Sequence, residues 1–445
     1  MNERDSEAVA ARLVAKGYTL ARSEREADVV LLNTCSVRDV AERRALEKMR
    51  ALIGDFRHAR RSVVLGFLGC MAQSRGADLA DRFPDVDLVV GTQKLHRVGD
   101  YLDEIVGGRL GPVVDTATEA GSEAAMPEHL YGGPPPAASV TAYVSIMQGC
   151  NQYCTFCIVP YTRGLERSRS IADIVAECRE LAERGVKEVT LLGQIVTSYG
   201  RRAMPVRDGK SPFVQLLEAV QAVDGIERIR FTAPHPRGYG DDLVEAYGRL
   251  SKLCEYAHLP MQSGSDRVLQ LMHRGYTRAR CLELVRRLRA RRPEIGICTD
   301  LIAGFPGETE ADFEQSCDLV REVAFDQAYL FKYSPRQDTP AAAMPDPVPV
   351  SVREERHARL LELVNGIARE RYQRLVGRQV EVLIEGPSRK DPRRWSGRTR
   401  CNKIVILDAA AGRPGELRNV RVTRAGSFSL YGVTPDVAAE RTGNV

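Results

Sequence analysis

The sequence predicts an α/β protein in three parts: an N-terminal open parallel sheet covered by helices, a central parallel (β/α) barrel, complete or partial, and a small C-terminal antiparallel β-barrel. Three observations carry this expectation. Continuous apolar runs alternate with amphipathic helical stretches near the start, which is how strands buried on both faces read. From "AYVSIMQGC" to about residue 345 a strand-then-helix unit repeats, each strand ending in small or polar residues,. Beyond a helix over roughly 351–374 the pattern turns to short alternating strands,.

The first part opens on a helix, with Asp5, Ser6 and Glu7 as its expected N-cap region and Val9, Leu13 and Val14 as its apolar stripe,. The strand "ADVVLLNTC", the helix "VRDVAERRALEKMRAL", the strand "SVVLGFLGC" and then "DVDLVVGT" follow. "EAGSEAAMPEHLYGGPPPAASV" interrupts the alternation as a Pro/Gly/Ala linker,. The expected domains are therefore 1–118, a linker over 119–140, a core over 141–369 and a terminal module over 370–436. The core strands are "EVTLLGQ", "RIRFTAPHP", "YAHLPMQSG", "GICTDLIAGFPGE" and "QAYLFKYSP"; those of the terminal module are "QVEVLIEG", "SGRTRCNKIVIL" and "ELRNVRVTRAGSFSLYGV".

With 445 residues, 43% of them hydrophobic and 28% charged, the chain has the composition of a globular protein of about two to four domains,. No apolar run approaches the roughly 20 residues that span a bilayer, and the N-terminus carries no basic flank before an apolar segment. A cytoplasmic protein without membrane contact is expected. Residues 370–445 hold 15 Lys+Arg against 8 Asp+Glu, more than the whole net charge of +5. A basic terminal module reads as a grip on nucleic acid, or as an arginine-biased surface.

Eleven cysteines in such a protein argue for metal or redox chemistry at some of them,. Cys178, Cys254, Cys281, Cys298, Cys317 and Cys401 are scattered and read as buried, inert thiols. Cys150, Cys154 and Cys157 instead stand in C-x3-C-x2-C order in "MQGCNQYCTFCIVPYTRG", just after the first barrel strand. Three thiolates so close suit three irons of a [4Fe-4S] cluster and leave the fourth iron open; zinc would want a nearby fourth ligand that the stretch lacks. Cys35 and Cys70 each end an apolar strand, where open α/β sheets bind ligands, so they read either as a second cluster site or as two unrelated thiols. "TDLIAGFPGETEADF" places Gly304 and Gly307 in a strand-to-helix turn, with Glu308 and Asp312 suited to the helix start; it reads as a ligand wall or as turn geometry alone.

The triplet, with an aromatic residue before its third cysteine and a barrel behind it, resembles the radical S-adenosylmethionine superfamily. The resemblance implies that the methionine end of the cofactor chelates the open iron, that Phe156 packs near its adenine, and that Gln194, in "LLGQIVTSYG", contacts its amino group; Gln194 also reads as an ordinary strand-end residue. Electron transfer from the cluster would then yield a 5′-deoxyadenosyl radical that abstracts hydrogen from a C–H bond. Gly304 and Gly307 would form part of the cofactor wall.

Taken whole, the chain resembles the methylthiotransferases. The stretches "LLNTCSVRDVAE", "GFLGCMAQ", "GCNQYCTFCIVPYTRGLERSR", "RIRFTAPHP", "HLPMQSGSDRVLQLMHRGYTR", "FKYSPRQDTPAA" and "SGRTRCNK" carry the similarity over nearly its full length. "PYTRG" and "YSPRQDTPAA" are most similar to the MiaB branch, the tRNA-2-methylthio-N(6)-dimethylallyladenosine synthases. This implies a second [4Fe-4S] cluster at Cys35 and Cys70 and a terminal TRAM domain that holds a tRNA anticodon stem-loop, with Trp395, Phe428 or Tyr431 as stacking surfaces or as core residues of the small barrel. Sulfur and a methyl group would be added at carbon 2 of an isopentenylated adenosine beside the anticodon. An electron donor and sulfur or cluster-assembly proteins would be partners of a monomer. Alternatives are a methylthiotransferase acting on threonylcarbamoyl-adenosine in tRNA or on a ribosomal protein, and a non-catalytic iron–sulfur RNA-binding protein.

Two departures stand out. The family's "GQNVNSY" reads "GQIVTSY", so Ile195 and Thr197 replace two amides. The family pattern also has a third N-terminal cysteine just before the Met that corresponds to Met1. The resemblance therefore predicts a truncated or misassigned start, a sheet lacking one strand, and a weakly held N-terminal cluster, with cofactor cleavage outlasting methylthiolation.

Overall fold

Apolar β-branched runs set the first sheet in the computed structural model, which describes residues 1–36, 39–118, 139–408 and 412–434, the side chain of Asp39 excepted. β1 (Val29–Thr34), β2 (Val64–Gly69), β3 (Leu88–Val90) and β4 (Val113–Asp115) lie in that order and pair in parallel. Helices cover both faces, as parallel strands require. Met49, Leu52, Phe67, Met71 and Leu79 pack on one side; Val9, Leu88, Val90, Val98 and Leu102 pack on the other.

The first helix runs Asn2–Ala15, earlier than the sequence pattern placed it. Asp5 is buried inside its first turn and serves an ion pair rather than a cap. The Pro/Gly/Ala linker expected over 119–140 falls almost entirely outside the described residues.

In the core, β5 (Thr141–Ser145) is followed by a short ribbon, β6 (Met147–Gln148) with β7 (Arg167–Ser168), and then by β8 (Glu188–Leu192) and β9 (Arg228–Phe231). β5, β8 and β9 form one three-stranded sheet. β10 (Tyr256–His258), β11 (Gly296–Ala303) and β12 (Gln327–Lys332) form another, and a parallel bridge from Ile229 to Leu253 lies between them. Six strands arranged in this way make the partial barrel.

β13 (Gln379–Pro387), β14 (Arg394–Thr399), β15 (Ile404–Asp408), β16 (Leu417–Ala425) and β17 (Leu430–Val433) close into a small barrel in the order β13-β14-β15-β17-β16. Every seam is antiparallel except β15 with β17. Val382, Ile384, Val405, Leu407, Val420 and Leu430 fill it. The fully buried Arg228 of β9 donates to the carbonyl of Arg398 at 2.7 Å and to Glu381 at 2.7 Å, and Arg230 donates to the carbonyls of Arg400 and Thr399 at 2.8 Å each. These bonds pin the terminal barrel to a core strand.

Two compact units emerge as far as the described residues go: Met1–Pro136 with Ser145–Ser170 and Leu192–Gln194, and Ala137–Val144 with Ile171–Leu191 and Ile195–Val445. The loop bearing Cys150, Cys154 and Cys157 thus packs with the N-terminal sheet. Among the described residues no helix is long and apolar enough to cross a membrane.

Candidate active site

β1 and β2 are aligned so that Thr34 faces Gly69. Cys35 and Cys70 therefore leave adjacent strands at neighbouring positions, at the C-terminal edge where open parallel sheets bind ligands. Cys70 is buried and opens the helix Cys70–Arg82; Cys35 is half-buried. Gly69 has φ 88°, and a Cβ there would stand 2.1 Å from Asn33 Oδ1, so the turn that delivers Cys70 needs a glycine,. Asn33 Oδ1, Thr34 Oγ1 and Gln73 Oε1 nearby in the chain are buried without hydrogen-bond partners. Such atoms cost about 1–3 kcal/mol each. The two soft thiolates suit iron, and the Thr34 hydroxyl can donate to a cluster sulfide, whereas the Asn33 and Gln73 oxygens are acceptors that a sulfide does not satisfy.

The triplet loop starts and ends at the ribbon, where Met147 faces Ser168 and Gln148 faces Arg167. Gly149 tightens this neck: its φ is 83°, and a Cβ would lie 2.0 Å from the Leu165 carbonyl oxygen. Cys150 N–H donates to the Gly164 carbonyl at 3.0 Å, and Glu166 N–H donates to Asn151 Oδ1 at 3.2 Å. Within the loop, Cys157 N–H donates to the Cys154 carbonyl at 3.0 Å, while Gln152 N–H points at Cys150 Sγ from 3.4 Å. An amide aimed at a sulfur stabilises a thiolate. Among the described residues no three His, Cys, Asp or Glu side chains converge as a single ion would need. A cubane takes one thiolate per iron, and three cysteines on one loop can supply three of them.

After Cys157 the chain forms the helix Val159–Arg163, which docks on the first unit. Thr92 Oγ1 donates to the Thr162 carbonyl, and a Cβ on Gly164 would lie 2.6 Å from Gln93 Nε2. Arg163 Nη2 reaches Asp5 Oδ2 at 2.6 Å and Asn2 Oδ1 at 3.0 Å. All five cysteines of the two expected sets belong to this unit, as do the half-buried Phe156 and Gln194. Gln194 Oε1 is buried without a partner, two residues beyond Leu192, whose carbonyl accepts from Ile146 N–H at 2.9 Å. An unpaired carbonyl oxygen held in this way suits a cofactor amino group.

Gly304 and Gly307 belong to the second unit. Gly304 has φ 75°, and a Cβ would lie 2.1 Å from Arg353 Cγ; Gly307 has φ 74°, and a Cβ there would meet only Leu271 Cδ1, at 3.9 Å. Thr309, not Glu308, caps the helix Glu310–Val323, with Asp312 completing a capping box,. Glu308 turns inward, accepts from Gly304 N–H at 2.9 Å and pairs with Arg356 at 2.8 Å.

Comparison with known proteins agrees with this architecture. Residues 1–91 match the Uncharacterized protein family UPF0004, residues 144–320 the Radical SAM superfamily and residues 373–434 the TRAM domain. The tRNA-2-methylthio-N(6)-dimethylallyladenosine synthase of Opitutus terrae is 52% identical, over 97% of this chain and 95% of the relative. That of Akkermansia muciniphila is 51% identical, over 97% and 96%. The chain belongs to this synthase family. Among solved structures, the radical S-adenosylmethionine methyltransferase TsrM from Kitasatospora setae, with cobalamin and a [4Fe-4S] cluster bound, has a TM-score of 0.53 at 14% identity, covering 75% of this chain and 68% of its own. At that identity the likeness is one of fold.

Family membership brings radical S-adenosylmethionine chemistry to this chain. Several polar side chains of this protein were not legible in the sequence. His235, in the loop after β9, is 4% exposed; its Nδ1 accepts from Arg237 N–H, and its Nε2 is buried without a partner. Burial, with Arg274 and Arg237 adding to it, lowers its pKa to about 2, so the ring is a neutral donor,. His258 Nε2 lies 3.1 Å from Asp300 Oδ1 across β10 and β11. No spacing marks such pairs, because they form between strands.

Five of the six scattered thiols are buried, as expected, and burial raises Cys254 and Cys317 to about 11 and Cys281 and Cys298 to about 12. Cys401 differs: it is half-buried, 3.6 Å from Lys403 Nζ. On the terminal barrel, Phe428 is 65% exposed, whereas Trp395 packs against the barrel core. The Arg424 guanidinium covers the Tyr431 ring at 3.6 Å.

Proposed function

We infer that this protein is a tRNA methylthiotransferase that converts N(6)-isopentenyladenosine next to the anticodon into its 2-methylthio derivative. The observation that carries the reading is the packing of the Cys150, Cys154, Cys157 loop in one compact unit with the Cys35 and Cys70 strand ends. One site would generate a radical and the other would hold sulfur, and the reaction needs both near one carbon.

In this reading Cys150, Cys154 and Cys157 hold a [4Fe-4S] cluster with one iron open to S-adenosylmethionine, and Cys35 and Cys70 supply two ligands of the second. Bound there, the cofactor and cluster supply a one-electron cleavage that yields a carbon-centred radical. The protein's own part is to bind and orient. Gln194 Oε1 accepts from the cofactor's amino group, and Phe156 lies against its adenine. The terminal barrel grips anticodon stem-loop phosphates through exposed Arg389, Lys390, Arg393 and Arg421, with Phe428 as a stacking surface,. The domains fall at 1–118, 141–369 and 370–436, a division supported by the three family matches. A cytoplasmic monomer supplied by an electron donor and by sulfur or cluster-assembly proteins completes the picture.

The test is nucleoside mass spectrometry of tRNA from a strain lacking its own enzyme and expressing this chain, alongside iron, sulfide and cofactor-cleavage assays on anaerobically reconstituted protein. The expected product is 2-methylthio-N(6)-isopentenyladenosine, lost in Cys154→Ala together with cofactor cleavage. A 2-methylthio group on threonylcarbamoyl-adenosine, or on a ribosomal protein, would reassign the substrate. Tight tRNA binding with no cofactor cleavage would overturn the enzymatic reading.

A further inference from the structure

A long connection leaves the C-terminal end of β8 and reaches the helix Pro212–Gln221, on the side of the barrel where parallel strands present their chemistry,. It has no helix or strand beyond the turn Val196–Ser198, and structureless connections longer than about 12–15 residues are uncommon and tend to be functional,. Its second half reads "YGRRAMPVRDGKS", with Arg201, Arg202 and Arg207 exposed. Near its start, Val196 N–H donates to the Ala233 carbonyl at 3.3 Å and His235 N–H donates to Thr197 Oγ1 at 3.1 Å. The connection therefore runs beside the loop after β9, which carries another exposed arginine, Arg237. Gln215 Nε2 ties the far end, donating to the carbonyls of Pro205 and Lys210 at 3.0 Å each, and Ser211 N–H donates to Asp242 Oδ2 at 2.8 Å. Arg207 and Lys210 close a turn there through backbone bonds of 3.2 and 2.8 Å. The backbone is anchored, yet among the described residues no carboxylate pairs with any of the four guanidinium groups. By contrast, Arg184 is neutralised by Glu180 at 2.8 Å, Arg286 by Glu283 at 3.0 Å, Arg321 by Asp318 at 2.7 Å, and Lys210 on the connection itself by Glu218 at 2.9 Å.

We propose that Arg201, Arg202, Arg207 and Arg237 form a second RNA-binding surface, on the core rather than on the terminal barrel, that grips anticodon-loop phosphates on either side of the target nucleoside. The proposal rests on the reading of tRNA as the substrate. Cations without local counter-ions attract a polyanion, and each phosphate that an arginine neutralises releases condensed counter-ions, which supplies affinity. Asp208 is the one carboxylate from Tyr199 to Ser211, so the positive surplus survives on that stretch. A guanidinium fork meets two phosphate oxygens with parallel N–H donors, so arginine fixes the register of a backbone as well as attracting it. Phosphate contacts of this kind position rather than specify. Made at the C-terminal ends of barrel strands, they hold the nucleoside between the gripped phosphates on the side where the barrel carries its chemistry.

The test uses the reconstituted full chain and an isopentenylated anticodon stem-loop RNA, read by filter binding over a range of salt concentrations and by phosphate-ethylation interference. Arg201→Ala, Arg202→Ala and Arg207→Ala combined are expected to weaken binding on the order of tenfold at physiological salt and to lower the slope of log K against log salt by about 2, as the loss of three single-strand phosphate contacts requires. Interference at loop phosphates should disappear while interference at stem phosphates stays, and in turnover KM for the RNA should rise while kcat holds. Arg237→Ala, on the neighbouring loop, should lower the slope by about 0.7, and it decides the matter if the triple variant does not fold. Unchanged affinity, slope and interference in the folded variants would overturn the proposal. So would an equal loss of stem and loop signals, which would mark the arginines as a diffuse positive surface. If the parent protein binds no RNA, the reading of tRNA as the substrate falls; if the parent binds and methylthiolates it and the variants match the parent, only the arginine surface falls.

Discussion

Arg163 and Asp5, 158 residues apart in sequence, meet at 2.6 Å with side chains 3% and 5% exposed. The pair joins the first helix of the N-terminal domain to the helix that follows Cys157. Removing one partner from a buried pair strands a charge, at a cost of about 3–5 kcal/mol. Asp5→Ala should therefore lower the first calorimetric unfolding transition sharply, and Asp5→Ala with Arg163→Met should cost less than the two single changes summed. Additive losses would show that the two groups do not act as a pair.

Gln194 offers the opposite signature. Its Oε1 is already unsatisfied, so Gln194→Leu should leave the cofactor-free protein as stable as before,. Affinity for S-adenosylmethionine should fall about tenfold, the equivalent of roughly 1.4 kcal/mol. Equilibrium dialysis on reconstituted protein reads this, and unchanged affinity would remove Gln194 from the cofactor's contacts.

Gly304 and Gly307 separate backbone strain from crowding. Both have positive φ, but only at Gly304 would a Cβ collide with Arg353. Gly307→Ala should cost about 1–3 kcal/mol, and Gly304→Ala about 1–3 kcal/mol more for overpacking. Denaturant titrations that rank the two variants the other way would contradict this.

Burial raises the Glu308 carboxyl to about 7, against the hydrogen bond from Gly304 N–H and the charge of Arg356. Its folded pKa lies above the unfolded value of 4.5, so the unfolded chain releases this proton first,. The stability tied to Glu308 is fully present below about pH 4.5 and is lost as pH rises through about 7,. Glu308→Gln should gain stability relative to the parent across that window, by on the order of 3 kcal/mol. A constant difference between the two proteins from pH 4 to 8 would refute it.

The terminal barrel separates binding from packing. Phe428→Ala should weaken tRNA binding in a filter assay without moving the melting temperature, because the ring is 65% exposed. Trp395→Ala, which removes a ring packed on the barrel core, should cost about 3–5 kcal/mol,. Equal effects on binding and stability in both variants would mean that Phe428 is not a recognition surface.

The sequence by itself determined what is local. C-x3-C-x2-C spacing, strand ends at Cys35 and Cys70, the glycine turn and the switch to short alternating strands each lie within a short span of chain, so periodicity and turn chemistry expose them,. It misread Asp5 as part of a cap because a helix-start carboxylate looks the same whether it meets solvent or a distant arginine. Tertiary structure alone decided that the triplet loop packs with the N-terminal sheet, that Arg163 reaches Asp5, that Gly304 makes room for Arg353, and that His258 faces Asp300. Those pairings depend on which strands and helices the topology brings together, and a contact made once between distant segments leaves no repeating pattern in either.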